Sequence, residues 1–214
     1  MLKKILAVMG AAVLLMTAGC GGNENVNDNE NNTQEEQSGA PENTGDVYAD
    51  KINFTIEMAD GGIMKGELYP DLAPKTVENF VSLCESKFYD GLIFHRVMPG
   101  FMIQGGGYDE NMNEKKADTI TGEFSSNGFE NPLKHERGVI SMARTQDPNS
   151  ASSQFFIMHD AAPHLDGEYA AFGKITEGLD IVDEIANVET TTYQEVMENV
   201  PVEPQIIKTI TIDK

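Results

Sequence analysis

The chain of 214 residues has two cysteines, 15 basic residues against 35 acidic ones, and no apolar run of twenty residues. Two cysteines cannot build a disulfide framework. A formal charge of −20, with no Lys/Arg cluster beyond the first few residues, excludes the footprint of a phosphate-backbone binder. The acidity favours solubility and names no partner. A bilayer-spanning helix needs about 20 apolar residues, and the longest candidate, Ile5 to Met16, is shorter and broken by Gly10. Three consecutive glycines, 105 to 107, raise the thought of a phosphate loop. No Lys-Ser/Thr follows them and no helix opens there, so a turn or a close backbone approach is expected instead. No internal repeat is present.

What is there begins with a processing pattern. Lys3 and Lys4 precede the apolar stretch, and Leu15-Met16-Thr17-Ala18-Gly19-Cys20 follows it. Small residues before a cysteine resemble the bacterial lipoprotein signal, with Thr17 where leucine is commonest. The resemblance implies removal of residues 1–19 and lipidation of Cys20, hence an extracytoplasmic protein held at the cell membrane by its lipid. Cys84 is then the remaining thiol, and it falls on the apolar stripe of a predicted helix, as a small buried hydrophobe would. Residues 20–49 are rich in Asn, Glu, Gly, Gln and Ser and offer almost nothing to bury. They read as a disordered acidic tether, about 30 residues averaging roughly 30 Å end to end.

The folded domain is expected over 50–214. Ile52, Phe54, Ile56 and Met58 alternate with polar residues, as in a half-buried strand, and Asp60-Gly61-Gly62 reads as a hairpin turn into Ile63 to Leu68. From Pro74, Val77, Phe80, Val81 and Cys84 recur at helical spacing, and the helix should stop near Lys87. Strands are expected at 92–97, 101–104, 138–143, 154–159, 170–175 and 206–212, a second helix over 179–186, and long surface loops between Tyr108 and Leu133. Many short strands with two helices make a mainly β protein, barrel or sandwich, with helices packed on it. Periodicity does not choose between the two.

Phe94-His-Arg-Val-Met-Pro-Gly-Phe-Met-Ile-Gln-Gly-Gly-Gly107 concentrates the chemistry. One fixed cation, Arg96, stands among Phe101, Met102 and the amide of Gln104. Such a set suits a ligand that is apolar with a polar edge; a strand with one solvated arginine is the bland alternative. His159, Asp160, His164 and Asp166 crowd another segment, where a metal cluster is conceivable. His95 and His135 read as structural or solvated.

The run 94–107 resembles the signature of the cyclophilins, peptidyl-prolyl cis-trans isomerases. Gly138-Val-Ile-Ser-Met-Ala143, Ser152-Ser-Gln-Phe-Phe-Ile157 and Leu165-Asp-Gly-Glu-Tyr169 with Phe172-Gly173 follow in the family's order and spacing, so that the likeness covers Ile52 to Lys214. The resemblance implies an eight-stranded antiparallel β-barrel capped by two helices, with no metal and no cofactor. It makes Arg96 the catalytic arginine, and Phe101, Met102, Phe156 and Leu165 the walls of a proline pocket. Gln104 becomes a polar contact near the proline carbonyl. Ala143 and Arg144 present backbone groups to the residues before proline; Arg144 replaces a commoner Asn, so only its backbone role carries over. His164 stands where many eukaryotic members have Trp, and Tyr169 where they have His. Both should close the pocket wall, with weak cyclosporin binding as the consequence.

The chemistry asks little of the protein. An X-Pro amide rotates slowly because its C–N bond has partial double-bond character, with a barrier of about 18–20 kcal/mol. In the twisted amide the prolyl nitrogen regains its lone pair, so a guanidinium aimed at it binds the transition state better than the ground state. The expectation is therefore a lipid-anchored monomeric isomerase acting on proline-containing polypeptides as secreted proteins fold. The alternative is a proline-peptide-binding or scaffold module with little turnover. A lipoprotein solute receptor would share the signal and tether, but would need a larger two-domain α/β chain.

Overall fold

A computed structural model describes residues 50–213; the signal segment, Cys20 and the tether lie outside the described residues. In the strand β1, Ile52–Met58, alternation buries Phe54, Ile56 and Met58 on one face. A tight turn joins it to β2, Ile63–Leu68. There Gly61 takes φ +97°, a left-handed conformation that a side chain resists, and the Asp60 carboxylate accepts the Gly62 N–H at 2.9 Å.

The helix α1, Pro74–Glu85, starts at its proline and turns Val77, Phe80 and Cys84 inward. Its first amides are satisfied from a distance. Glu123 accepts the Lys75 and Thr76 N–H groups and the Thr76 hydroxyl, at 3.0, 2.8 and 2.7 Å. A carboxylate suits the positive end of a helix. This corrects the surface-loop expectation for 108–133 in part, since Glu123, Phe124 and Asn131 of that stretch are buried. The Asn131 amide ties it down, donating to the carbonyls of Glu123 and Ala171.

The remaining barrel strands are β3, Leu92–Met98; β4, Met102–Asp109; β5, Val139–Met142; β6, Phe155–Met158; β7, Ala171–Glu177; and β10, Gln205–Ile212. All pairings are antiparallel, and the order β1-β10-β3-β4-β6-β5-β7-β2 closes on itself. Closure decides for the barrel and removes exposed sheet edges. The helix α2, Leu179–Ala186, covers its expected span and buries Val182, Ile185 and Ala186. One unforeseen element follows it, a separate hairpin of β8, Thr190–Tyr193, and β9, Met197–Pro201.

The interior cluster is aromatic at its centre. Phe80 of α1 meets Phe54, Tyr89, Phe155 and Phe172 with ring centroids 5.2–5.8 Å apart. Cys84 belongs to this cluster, and burial pushes its thiol pKa far up, as the small-hydrophobe reading requires. A second apolar cluster lies apart from it. It comprises Met102, Val139, Phe156, Met158, Ala162, Leu165 and Ala171, with Met98, Phe101, Leu133, Ala143 and Tyr169 packed against it. The period of two along a strand creates the split. Phe155 and Ile157 belong to the interior cluster, and Phe156 and Met158, one step along β6, to the second.

Candidate active site

The second cluster forms one wall of a cavity of about 410 Å³. The cavity is lined by Arg96, Phe101, Met102, Gln104, Ala143, Arg144, Phe156, His164, Leu165 and Tyr169. Every candidate substrate-site residue of the folded domain therefore reaches one place. Three neighbouring strands set its centre, because Arg96 of β3 pairs with Gln104 of β4, and Gln104 pairs with Phe156 of β6. Register shifts in the β3–β4 ladder, on either side of Phe94, bring Arg96 opposite Gln104.

The glycines explain how these strands lie so close. They sit inside β4, so close approach is the correct expectation and a turn is not. A Cβ on Gly105 would stand 2.9 Å from the Phe94 ring, and one on Gly106 the same distance from the Ser153 carbonyl and the Tyr89 ring. At Gly107 it would meet the Gln154 amide at 2.5 Å. The Gln154 side chain lies over that bare backbone and accepts a hydrogen bond of 2.9 Å from Gln104 Nε2. This orients the Gln104 amide. Gln154 belongs to the Ser152–Ile157 motif, and only the fold shows its partner.

Arg96 is half-buried, and its guanidinium reaches Met98 Sδ at 3.1 Å. It forms no ion pair among the described residues, so its charge is not spent on a carboxylate. Arg144 behaves differently. Its guanidinium donates twice to the Glu168 carbonyl, at 3.0 and 2.8 Å, and lies over the rings of Tyr169 and Phe124 at 4.6 and 5.0 Å. The side chain thus braces Tyr169, a function beyond the backbone role implied for this position. The Ala143 N–H donates to the Gln154 carbonyl at 2.9 Å, fixing the other rim.

Two histidines hold the pocket from behind. His135 is buried, and its ring stacks on Phe156 with centroids 6.0 Å apart and planes at 17°. Its Nδ1 lies 3.1 Å from Asp166 Oδ1 and its Nε2 3.0 Å from the Ser141 hydroxyl. Burial lowers the His135 pKa, against the opposing pull of Asp166. A neutral ring satisfies both contacts if Nδ1–H donates to the carboxylate and the serine hydroxyl donates to Nε2. Burial would raise the Asp166 pKa, but hydrogen bonds from the His135 backbone and ring outweigh it and keep it low. The Asp-His-Ser order is that of a hydrolytic relay, yet Ser141 is completely buried, so the set is a brace and not a nucleophile.

His159 pins the opposite wall. Its Nδ1 accepts the Gly100 N–H at 3.1 Å, and its backbone N–H donates to the Phe101 carbonyl at 2.9 Å. Nε2 lies 3.3 Å from Asp183, which Arg137 holds at 2.8 Å. The Phe101 ring stacks on His164, centroids 5.9 Å apart. His159, His164 and Asp166 thus serve three different partners, and no group of three metal-ligating side chains comes together among the described residues. His95 is buried behind Arg96; burial drives its pKa down to about 4, with Arg96 adding to the effect and hydrogen bonding to Ile93 and Gln154 opposing it. His135 and His95 are structural, not solvated.

A closed antiparallel barrel carries an apolar pocket on its wall, with a guanidinium free of ion pairs among the described residues and an oriented amide at the rim, an arrangement that suits an apolar ring with a polar edge. The comparisons make the class specific. The model for "Cyclophilin type peptidyl-prolyl cis-trans isomerase/CLD" matches residues 53–211, and the chain belongs to this family. It is 45% identical over 166 residues to a peptidyl-prolyl cis-trans isomerase of Acinetobacter baylyi, covering 75% of this chain and 86% of that one. To peptidyl-prolyl cis-trans isomerase B of Escherichia coli it is 40% identical over 154 residues, covering 68% and 91%. A crystal structure of a cyclophilin type isomerase of Cryptosporidium parvum, determined in the presence of the dipeptide Ala-Pro, superposes with a TM-score of 0.61. It is 31% identical and covers 76% of this chain and 99% of that one.

Proposed function

We propose that this chain accelerates cis/trans isomerisation of X-Pro bonds in secreted or surface polypeptides, outside the membrane to which Cys20 anchors it. The observation that carries the catalytic part is the row Arg96, Gln104, Phe156 across β3, β4 and β6 at the mouth of the apolar cavity. Phe101, Met102, Phe156 and Leu165 enclose the proline ring. The Gln104 amide, held by Gln154, steadies the carbonyl. Arg96 donates to the prolyl nitrogen as the amide twists, an interaction made mainly in the transition state. No proton, nucleophile or metal enters the step.

The envelope part is supported by the signal-like pattern, the polar tether and the burial of Cys84, which leaves Cys20 as the cysteine suited to lipid. Chains emerging across a membrane are unfolded, and proline isomerisation takes tens of seconds unaided, so an isomerase there shortens a folding step. His164 in the place of a tryptophan supports weak cyclosporin binding, and nanomolar affinity in a calorimetric titration would contradict it.

A protease-coupled assay on a proline peptide tests the enzyme reading. A rate gain for the wild type that is lost in Arg96→Ala supports it; equal rates for the two leave only a binding module. Mass spectrometry of the mature N-terminus tests the anchor: an acylated Cys20 supports it, and an unmodified terminus elsewhere removes it.

A further inference from the structure

A second cavity, of about 380 Å³, adjoins the first, and Arg96 and Gln104 line both. Its outer wall comes from the unforeseen hairpin, through Val196, Met197, Glu198 and Asn199. We propose that this cavity is a second subsite for the polypeptide whose proline fills the first, and that it takes a lysine or arginine flanking that proline. The proposal rests on the isomerase reading of the neighbouring pocket.

Continuity gives the occupant. A peptide seated with its proline ring against Phe156 has its neighbouring residues within one or two steps of Arg96 and Gln104. Those two side chains form the boundary between the cavities, so the same chain enters both.

Chemistry gives the side chain. Val196 is 80% exposed, and Met197 beside it is half-buried. A bare isopropyl group and a flexible thioether suit a long aliphatic stem. Glu198 is exposed and makes no hydrogen bond or ion pair among the described residues. Arg96 lies on the boundary with the ring pocket, where its guanidinium donates to Met98 Sδ at 3.1 Å, and it opposes a cation from that inner side. The other titratable walls are His95, whose low pKa keeps it neutral near pH 7, and the phenol Tyr108, also uncharged there. Glu198 is the one charged group on this cavity's outer wall, across from Arg96 on its inner side.

The backbone of the hairpin is sharply bent here. Gln194, Glu195 and Asn199 all have positive φ without being glycine, at 50°, 60° and 62°. Asparagine tolerates that region; two such residues in the connecting turn and one in β9 set the bend that carries Val196 and Glu198 to the cavity.

The test uses the full chain and proline peptides identical except at one flanking position, which carries Lys, Glu or Ala, scanned from two before to two after the proline. At low salt one position should favour Lys over Glu by about three- to five-fold in kcat/KM, the size of a partly exposed ion pair. Glu198→Gln should bring that ratio near one, and Glu198→Lys should invert it. Reading the ratio within each variant cancels any general loss of activity. Glu85→Lys, at the end of α1, controls for the net charge of the protein. If the ratio is the same in the wild type and both Glu198 variants, or if Glu85→Lys moves it equally, the subsite is refuted. Turnover of the Ala peptide by the wild type keeps that failure separate from failure of the isomerase reading.

Discussion

Phe155 and Phe156 are adjacent in one strand, both buried, and belong to different parts of the protein. Phe155 meets the rings of Phe80, Tyr89 and Phe94 with centroids 5.4–5.9 Å apart. Phe156 rests on His135 and Tyr169, and its open side is a cavity. The interior is filled by rigid rings and aliphatic side chains. Each cluster holds three methionines, Met58, Met64 and Met142 in the interior and Met98, Met102 and Met158 beside the pocket, so their content does not separate the two; the wall cluster is instead stiffened from behind by hydrogen-bonded histidines. Burial alone does not distinguish core from site. The difference lies in whether the far side of the ring meets protein or empty space.

Substitutions at these neighbours should separate stability from activity. Phe155→Ala removes a fully packed ring and should cost about 3–5 kcal/mol in urea unfolding. Phe156→Ala should lose less stability and more kcat/KM, because part of its surface already faces the cavity. Equal stability losses would erase the distinction between the two clusters.

Arg96→Ala should lower kcat/KM by about 10²–10³-fold, the range for removing one transition-state donor. Its Tm should change little, since the guanidinium has no carboxylate partner among the described residues. A large fall in Tm with modest loss of rate would move Arg96 to the structural side of the comparison.

The histidines behind the pocket link the two regions through pH. His95 has a pKa of about 4 in the folded protein and about 6.5 unfolded. Below pH 6.5 the unfolded chain binds a proton that the folded chain refuses, so stability falls as pH drops from about 6.5 towards 4. The loss reaches about 3 kcal/mol at the lower end. His135, also lowered by burial, adds in the same direction. His95→Gln should flatten the dependence of Tm on pH in that window; an unchanged slope would count against a neutral buried ring.

The smallest effect is expected at His159. His159→Ala removes the acceptor for the Gly100 N–H and frees the loop carrying Phe101. KM should rise about three- to ten-fold, as for one lost hydrogen bond. His159→Asn, which can still accept, should recover part of it. If alanine and asparagine behave alike, the hydrogen bond does not position Phe101.

Much of this was readable in the chain. The strands β1 and β2, the turn at Gly61 and both helices follow from alternation, glycine and helical spacing, which are local. Gln154 was visible as a residue, but its contact with Gln104 of β4 depends on the segment entering β6, 50 residues on, lying over Gly107. Glu123 looked like loop polarity until α1 arrived to be capped by it. The hairpin 190–201 carries little hydrophobic pattern, because β8 is three threonines and a tyrosine with none buried, and β9 buries only Val200 and Pro201 at its end.

By itself the sequence determined the barrel strands and both helices, though not the 190–201 hairpin, together with the alternation that assigns Phe155 and Phe156 to opposite faces and the residue types of the site. Tertiary structure decided closure into a barrel, the β3–β4 register that puts Arg96 beside Gln104, and the neutral state of His95 and His135. It also placed a carboxylate-bearing hairpin next to the pocket. The physical reason is range: periodicity and turn chemistry act over a few residues, whereas register, burial and charge state depend on neighbours supplied by distant segments.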